Sequence, residues 1–75
     1  MDEATIRTKM KEERLFVEFK ADDGRTMQGE IMAMGSAPDE HLPVTVNWRT
    51  WYVTPDVMTR FLTVPEAIAL IKSWD

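Results

Sequence analysis

The residues able to do chemistry are few and scattered. His41 is the single histidine, flanked by Asp39, Glu40 and Leu42 in a stretch bounded by Pro38 and Pro43. A metal centre needs three or four converging ligands, and a general base needs a nucleophile to deprotonate. This stretch supplies neither, so His41 reads as a solvated loop histidine. The doublet Asp22 and Asp23 offers carboxylates to a divalent cation, but no glutamate follows at the spacing of a calcium loop. Two aspartates before Gly24 fit turn chemistry better. The chain has no phosphate-cradling glycine loop, no nucleophile motif and no cysteine. It is expected not to be an enzyme and to use no cofactor and no metal.

The other candidates are binding residues. Trp48, Arg49, Trp51, Tyr52, Arg60 and Phe61 form the one cluster in which aromatics alternate with arginine, a pattern that stacks bases or anchors a protein interface. A small domain must also fill its interior with such side chains, and Trp48 with Val44 and Val46 reads as the centre of that core. Arg49, Trp51, Tyr52 and Arg60 remain as contact residues. Met32 and Met34 join them, because both fall on the face of their strand away from the apolar one, and methionine surfaces adapt to partners.

The elements that position these residues follow from patterning. Around Gly24, a two-residue turn would mix apolar and polar side chains on one face. A three-residue loop, Asp22-Asp23-Gly24 with Gly24 left-handed, instead sets Phe19 opposite Met27, Val17 opposite Gly29 and Leu15 opposite Ile31. The second strand is expected to run to about Met34, with Met27, Gly29, Ile31 and Ala33 on the apolar face. Residues 35–43 form a surface loop. Residues 44–53 have the composition of a strand, but Val44, Val46 and Trp48 share one parity while Trp51 and Val53 take the other. A bulge or bend near Arg49 and Thr50, a split into two strands at a barrel corner, or burial of both faces would each explain the break. Thr54 can cap a single helical turn with Pro55 at its first position, and residues 59–62 suit a last short strand.

Thr63, followed three residues later by Glu66, makes a capping box with Pro65 tolerated in the first turn. The spacing predicts a helix over 64–74, whose arc of Val64, Ala67, Ile68, Leu70, Ile71 and Trp74 is wide enough to cover an open sheet face. At the other end, Ile6 and Met10, with Glu3 four before Arg7, fit a short helix. Alternation over 5–10 also fits an edge strand, and a frayed terminus is the third reading.

The charged N-terminal segment, Val17-Glu18-Phe19-Lys20, the aspartate-glycine turn and Gly29 followed by Glu30-Ile31 together resemble the first half of an Sm-like small β-barrel, over residues 2–34. That resemblance implies a helix before the first strand, a glycine that lets the second strand bend, and a short helical turn, here residues 54–58, before the last strand. The RNA-contacting asparagine loop and the later arginine-glycine or lysine-histidine signature of that family have no counterpart here. The resemblance therefore implies fold alone. The expected class is α+β, a small antiparallel sheet or a partly closed Sm-like barrel, with a C-terminal helix and a short N-terminal one. The rival architecture is an open sheet of three or four strands with the C-terminal helix packed on it. One domain spans 1–75, β-rich over 15–62.

Composition bounds the function. The formal net charge of −4 is concentrated in residues 15–40, which hold six acids and two bases. A generic phosphate binder carries a basic stripe instead. No run approaches the roughly 18 apolar residues of a membrane span, and the acidic start differs from a secretory signal. A soluble, intracellular and cytoplasmic chain is expected, in keeping with its lack of cysteine. A core this small supplies roughly 3–5 kcal/mol of net stability, which favours association. The leading expectation is a small protein-interaction or regulatory module, an adaptor or inhibitor docking on a larger protein or on a second copy. The alternative is single-stranded nucleic-acid binding, with Trp51, Tyr52 and Phe61 stacking and Arg49 and Arg60 on phosphates.

Overall fold

A left-handed glycine sets the first hairpin. Gly24 sits at φ +86°, and strands β1 (Phe16–Lys20) and β2 (Thr26–Ile31) pair antiparallel with Phe19 opposite Met27 and Val17 opposite Gly29, as the apolar pattern predicts. The Asp23 carboxylate accepts the backbone N–H of Arg25 at 3.0 Å, so Asp23 serves the turn. The computed structural model describes residues 1–13, 15–33 and 40–74. Met34 and the loop residues through Asp39 lie outside the described residues.

Among the described residues, five strands make one antiparallel sheet in the order β4-β3-β2-β1-β5, with β3 over Leu42–Val46, β4 over Arg49–Val53 and β5 over Met58–Phe61. The sheet is not closed into a barrel: β4 and β5 stand at opposite edges. The expected second strand stops at Ile31, short of Met34, and Ala33 is exposed rather than on the buried face. The third strand begins at Leu42, two residues before the sequence reading placed it, because Leu42 is buried in the core.

The broken alternation over 44–53 has a simple cause. Asn47 and Trp48 take positive φ of 49° and 70°, forming a two-residue turn in which both central residues are left-handed. The segment is thus two paired strands, Leu42 opposite Val53 and Val44 opposite Trp51. Opposed residues share a face, so the reversal brings odd and even positions to the same side.

That side is the core. Val17, Phe19, Ile31, Leu42, Val44, Val53 and Met58 close on Ile6 from helix α1 (Glu3–Lys11). The N-terminal segment is a helix, neither edge strand nor frayed coil. Asp2 caps it by accepting the N–H of Thr5 at 2.7 Å, and Lys9 and Lys11 occupy its last turn, where cations suit the dipole. Gly29 is buried where β3 crosses β2: a Cβ there would lie 2.5 Å from the Thr45 carbonyl oxygen and 2.8 Å from methyls of Val44 and Val46. Pro55–Val57 form the short 3-10 turn before β5, but Thr54 contributes no side-chain capping bond to it.

Helix α2 (Val64–Ser73) starts as its capping box dictates: Thr63 Oγ1 accepts the N–H of Glu66 at 3.3 Å, and the Glu66 carboxylate accepts the N–H of Thr63 at 2.9 Å. Its apolar arc is only partly covered by the rest of the chain. No residue of α2 is fully buried; of its apolar arc, Ala67, Leu70 and the capping Trp74 are partly buried while Val64, Ile68 and Ile71 stand exposed.

Candidate functional site

The β3–β4 hairpin carries most of the candidate contact residues, and its turn decides how each is presented. Trp48 is 72 % exposed, so it belongs to the surface and not to the centre of the core, as its strand-like neighbours suggested. A bulky residue at φ 70° is held against its own preference, in a place where glycine is favoured. Its indole Nε1–H donates to the Trp74 carbonyl at 3.2 Å, its ring meets the Trp74 ring at 6.1 Å in an edge contact, and Trp74 in turn lies 6.4 Å from Phe16. These three aromatics join the hairpin tip to the end of α2 across the outer face of the sheet.

Arg49 follows Trp48 and is exposed at the start of β4. Trp51 does not point outward with Met32, as expected. It is paired with Val44 on the core side, at the open rim of the sheet, and is 37 % exposed. Tyr52, its neighbour, faces out beside Pro43 and is 68 % exposed. Met32 is exposed just beyond β2. Phe61 is half-buried and packs on the core, which removes it from the set of stacking platforms.

Arg60 is committed within the chain. Its guanidinium donates to both carboxylate oxygens of Glu66, at 2.9 and 2.8 Å, and to Glu18 Oε1 at 3.3 Å. The hydrogen bonds from Arg60 hold the Glu66 carboxyl down at about 2, helped by the backbone and side chain of Thr63, and Glu66 raises the Arg60 pKa in return. Glu18 is also lowered, first by the amide of Gln28, which donates at 3.1 Å, and then by Arg60. A cation so held ties β5 to the start of α2.

A cleft of about 100 Å³ opens beside Trp51, lined by Tyr52, His41, Lys20 and Asp22 over a floor that includes Phe19. It is well below the roughly 300 Å³ at which small-molecule pockets begin, and its volume suits a few waters. Among the described residues no three histidine, aspartate or glutamate side chains converge as metal ligands. No described helix is long and apolar enough to cross a membrane.

Comparison with family models, curated proteins and solved structures finds no match. The site must stand on its own geometry: an exposed, strained tryptophan at a hairpin tip, followed by Arg49, with Tyr52 and Met32 exposed beside Pro43 at the other end of the same hairpin. Sequence reasoning missed Trp48. The signal lay in Asn47, a residue tolerant of left-handed backbone, placed where the alternation changes phase.

Proposed function

We propose that this chain is a small, non-enzymatic protein-interaction module, an adaptor or inhibitor that docks on a larger protein and presents Trp48, Arg49 and Tyr52, with Met32, as contact residues. Trp48 carries the reading. Backbone strain of this kind costs about 1–3 kcal/mol and persists where something else requires the side chain, and exposed tryptophan and arginine are the side chains that most often dominate protein interfaces. Among the described residues β4 is an edge strand, and such an edge can accept a strand from a partner; the partly exposed Trp51 lies on the core side of that edge. The helix before β1, Gly29 within β2 and the 3-10 turn before β5 support the fold-level resemblance to an Sm-like scaffold. The absence of cysteine supports a cytoplasmic setting. Net acidity and the engagement of Arg60 weigh against the nucleic-acid alternative.

The test is Trp48→Gly. Glycine relaxes the left-handed turn but gives up the contact with Trp74, so the chain should stay folded with a midpoint little changed, while capture of the protein retained by the wild-type chain should be lost. A variant that unfolds would make Trp48 a structural residue, and undiminished capture would sink the reading.

A further inference from the structure

Asp23 is the one aspartate of the chain that precedes a glycine. Such neighbours have a chemistry of their own, in which the backbone nitrogen of the second residue attacks the side-chain carboxyl carbon of the first. Glycine resists the attack least, since it carries no Cβ. In the first step the Gly24 nitrogen gives up its proton and bonds to Cγ of Asp23, a Cγ–O bond breaks, and one water leaves, closing a five-membered succinimide. In the second step water returns to one of the two ring carbonyls. Attack at Cγ restores aspartate; attack at the main-chain carbonyl carbon leaves isoaspartate, with the backbone routed through the side chain. No oxidation state changes, and water is the only co-reactant.

The turn leaves this pair in solvent and yet ties both reacting groups. Residues 22–25 are exposed, and a Cβ on Gly24 would meet nothing within 4 Å, so the space beside the peptide is free. The nucleophile is engaged: the Gly24 N–H donates to the Ala21 carbonyl at 2.9 Å, and the Ala21 N–H, donating to the Arg25 carbonyl at 2.9 Å, closes the same turn. The electrophile is engaged too. Arg25 takes both of its oxygens, the backbone N–H on Oδ1 at 3.0 Å and the guanidinium Nε–H on Oδ2. Water leaves from a protonated carboxyl, and these bonds, that of the Arg25 backbone N–H first, hold the Asp23 carboxyl below its ordinary range.

We propose that Asp23–Gly24 is a latent isoaspartyl site that the folded turn holds closed, with Arg25 as its clasp, and that it reacts when the turn opens. Exposed turns open locally without unfolding of the core. The product adds one methylene to a three-residue loop whose length sets Phe19 opposite Met27, so a chain that has reacted loses the match between turn and register. The inference is independent of the interaction-module reading, since neither Trp48 nor the β4 edge takes part.

The test incubates the full chain at pH 6 in buffer and in urea, and locates isoaspartate by peptide mapping with electron-transfer fragmentation. In urea isoaspartate should accumulate at position 23 and disappear in Asp23→Glu, whose longer side chain closes its ring far more slowly. In buffer it should accumulate about tenfold more slowly or less, because only open turns react. Arg25→Ala should raise the rate in buffer, divided by the same variant's rate in urea, by about two- to fivefold, the effect of losing an exposed ion pair; Arg25→Gln serves if the alanine variant fails to fold. The purified isoaspartyl chain should melt below the unmodified one. No isoaspartate in urea, equal rates in buffer and urea, an Arg25 variant with the wild-type ratio, or an isoaspartyl chain with an unchanged melt would overturn the proposal.

Discussion

Arg60 lays its guanidinium across both carboxylate oxygens of Glu66, at 2.9 and 2.8 Å, while the same carboxylate accepts the backbone N–H of Thr63. One side chain thus closes the N-terminus of α2 and ties it to β5. The arrangement has a pH signature. The Glu66 carboxyl is held at about 2, below its ordinary 4.5, so the stability it brings is complete above about 4.5 and drains away as the pH falls toward 2. Glu18, Asp2 and Asp23 are lowered as well and act in the same direction. Urea midpoints recorded from pH 6 to pH 2 should fall steadily below 4.5, and Glu66→Gln should flatten part of that fall. A variant with the slope of the wild type would show that the fork does not couple to folding.

The threonine of the same box offers a cleaner perturbation. Thr63→Ala removes the acceptor for the Glu66 N–H and should lower stability by about 0.5–2 kcal/mol, with loss of helical circular dichroism on heating before the β signal changes. Coincident loss of both signals at an unshifted midpoint would remove the cap from this account.

The two glycines of the first hairpin should respond differently to the same change. Gly24 has open space around its Cα and a φ of +86°, so Gly24→Ala should cost about 1 kcal/mol through backbone strain alone. At Gly29 the added methyl would overlap the Thr45 carbonyl and two valines, and overpacking of this kind costs roughly 1–3 kcal/mol or more. Chemical denaturation of the pair should rank Gly29→Ala as the more damaging; the reverse order would mean that β3 yields freely.

Phe19 and Trp51 separate core from rim. Phe19 is fully buried, and Phe19→Ala should remove roughly 3–5 kcal/mol, comparable to the whole net stability of a chain this size. Trp51 keeps more than a third of its surface in water, and Trp51→Ala should remove only roughly 2 kcal/mol, leaving a folded chain with a lower melting midpoint. If both variants unfold alike, the rim is as firmly packed as the centre.

Much of this architecture was legible before any coordinates. Gly24 demanded the three-residue turn, and that turn gave the β1–β2 register. The Thr63–Glu66 spacing gave the start of α2, and the Ile6–Met10 spacing allowed α1. What stayed hidden was the sense of the second hairpin. Val, Thr, Trp and Tyr fill one long strand as readily as two short ones, and a tryptophan in a left-handed turn position contradicts the local preference that would have announced it. Once the turn is missed, the face of every residue after it is inverted, which is why Trp51 was expected outside and Trp48 inside. For α2 the period of 3.6 gave the apolar arc but not which half of it the chain covers. That depends on where Trp74 finds Phe16 and Trp48 across the sheet, contacts separated by 58 and 26 residues.

The ladder between β2 and β3 is short, with paired positions at Glu30–Thr45 and Ile31–Val44 and one further bond from the Met32 N–H to the Pro43 carbonyl. On its other side β2 is locked to β1 over five positions, and β1 to β5 beyond it. The sheet is expected to divide into two opening units of unequal tenacity, with amide protons of the β3–β4 unit exchanging through local openings that leave the β2–β1–β5 unit closed. Any molecule that grips the hairpin tip and α2 together clamps the looser unit to the firmer one, and slowed exchange at Val44, Thr45 and Trp51 then reports its arrival without a contact to any of the three.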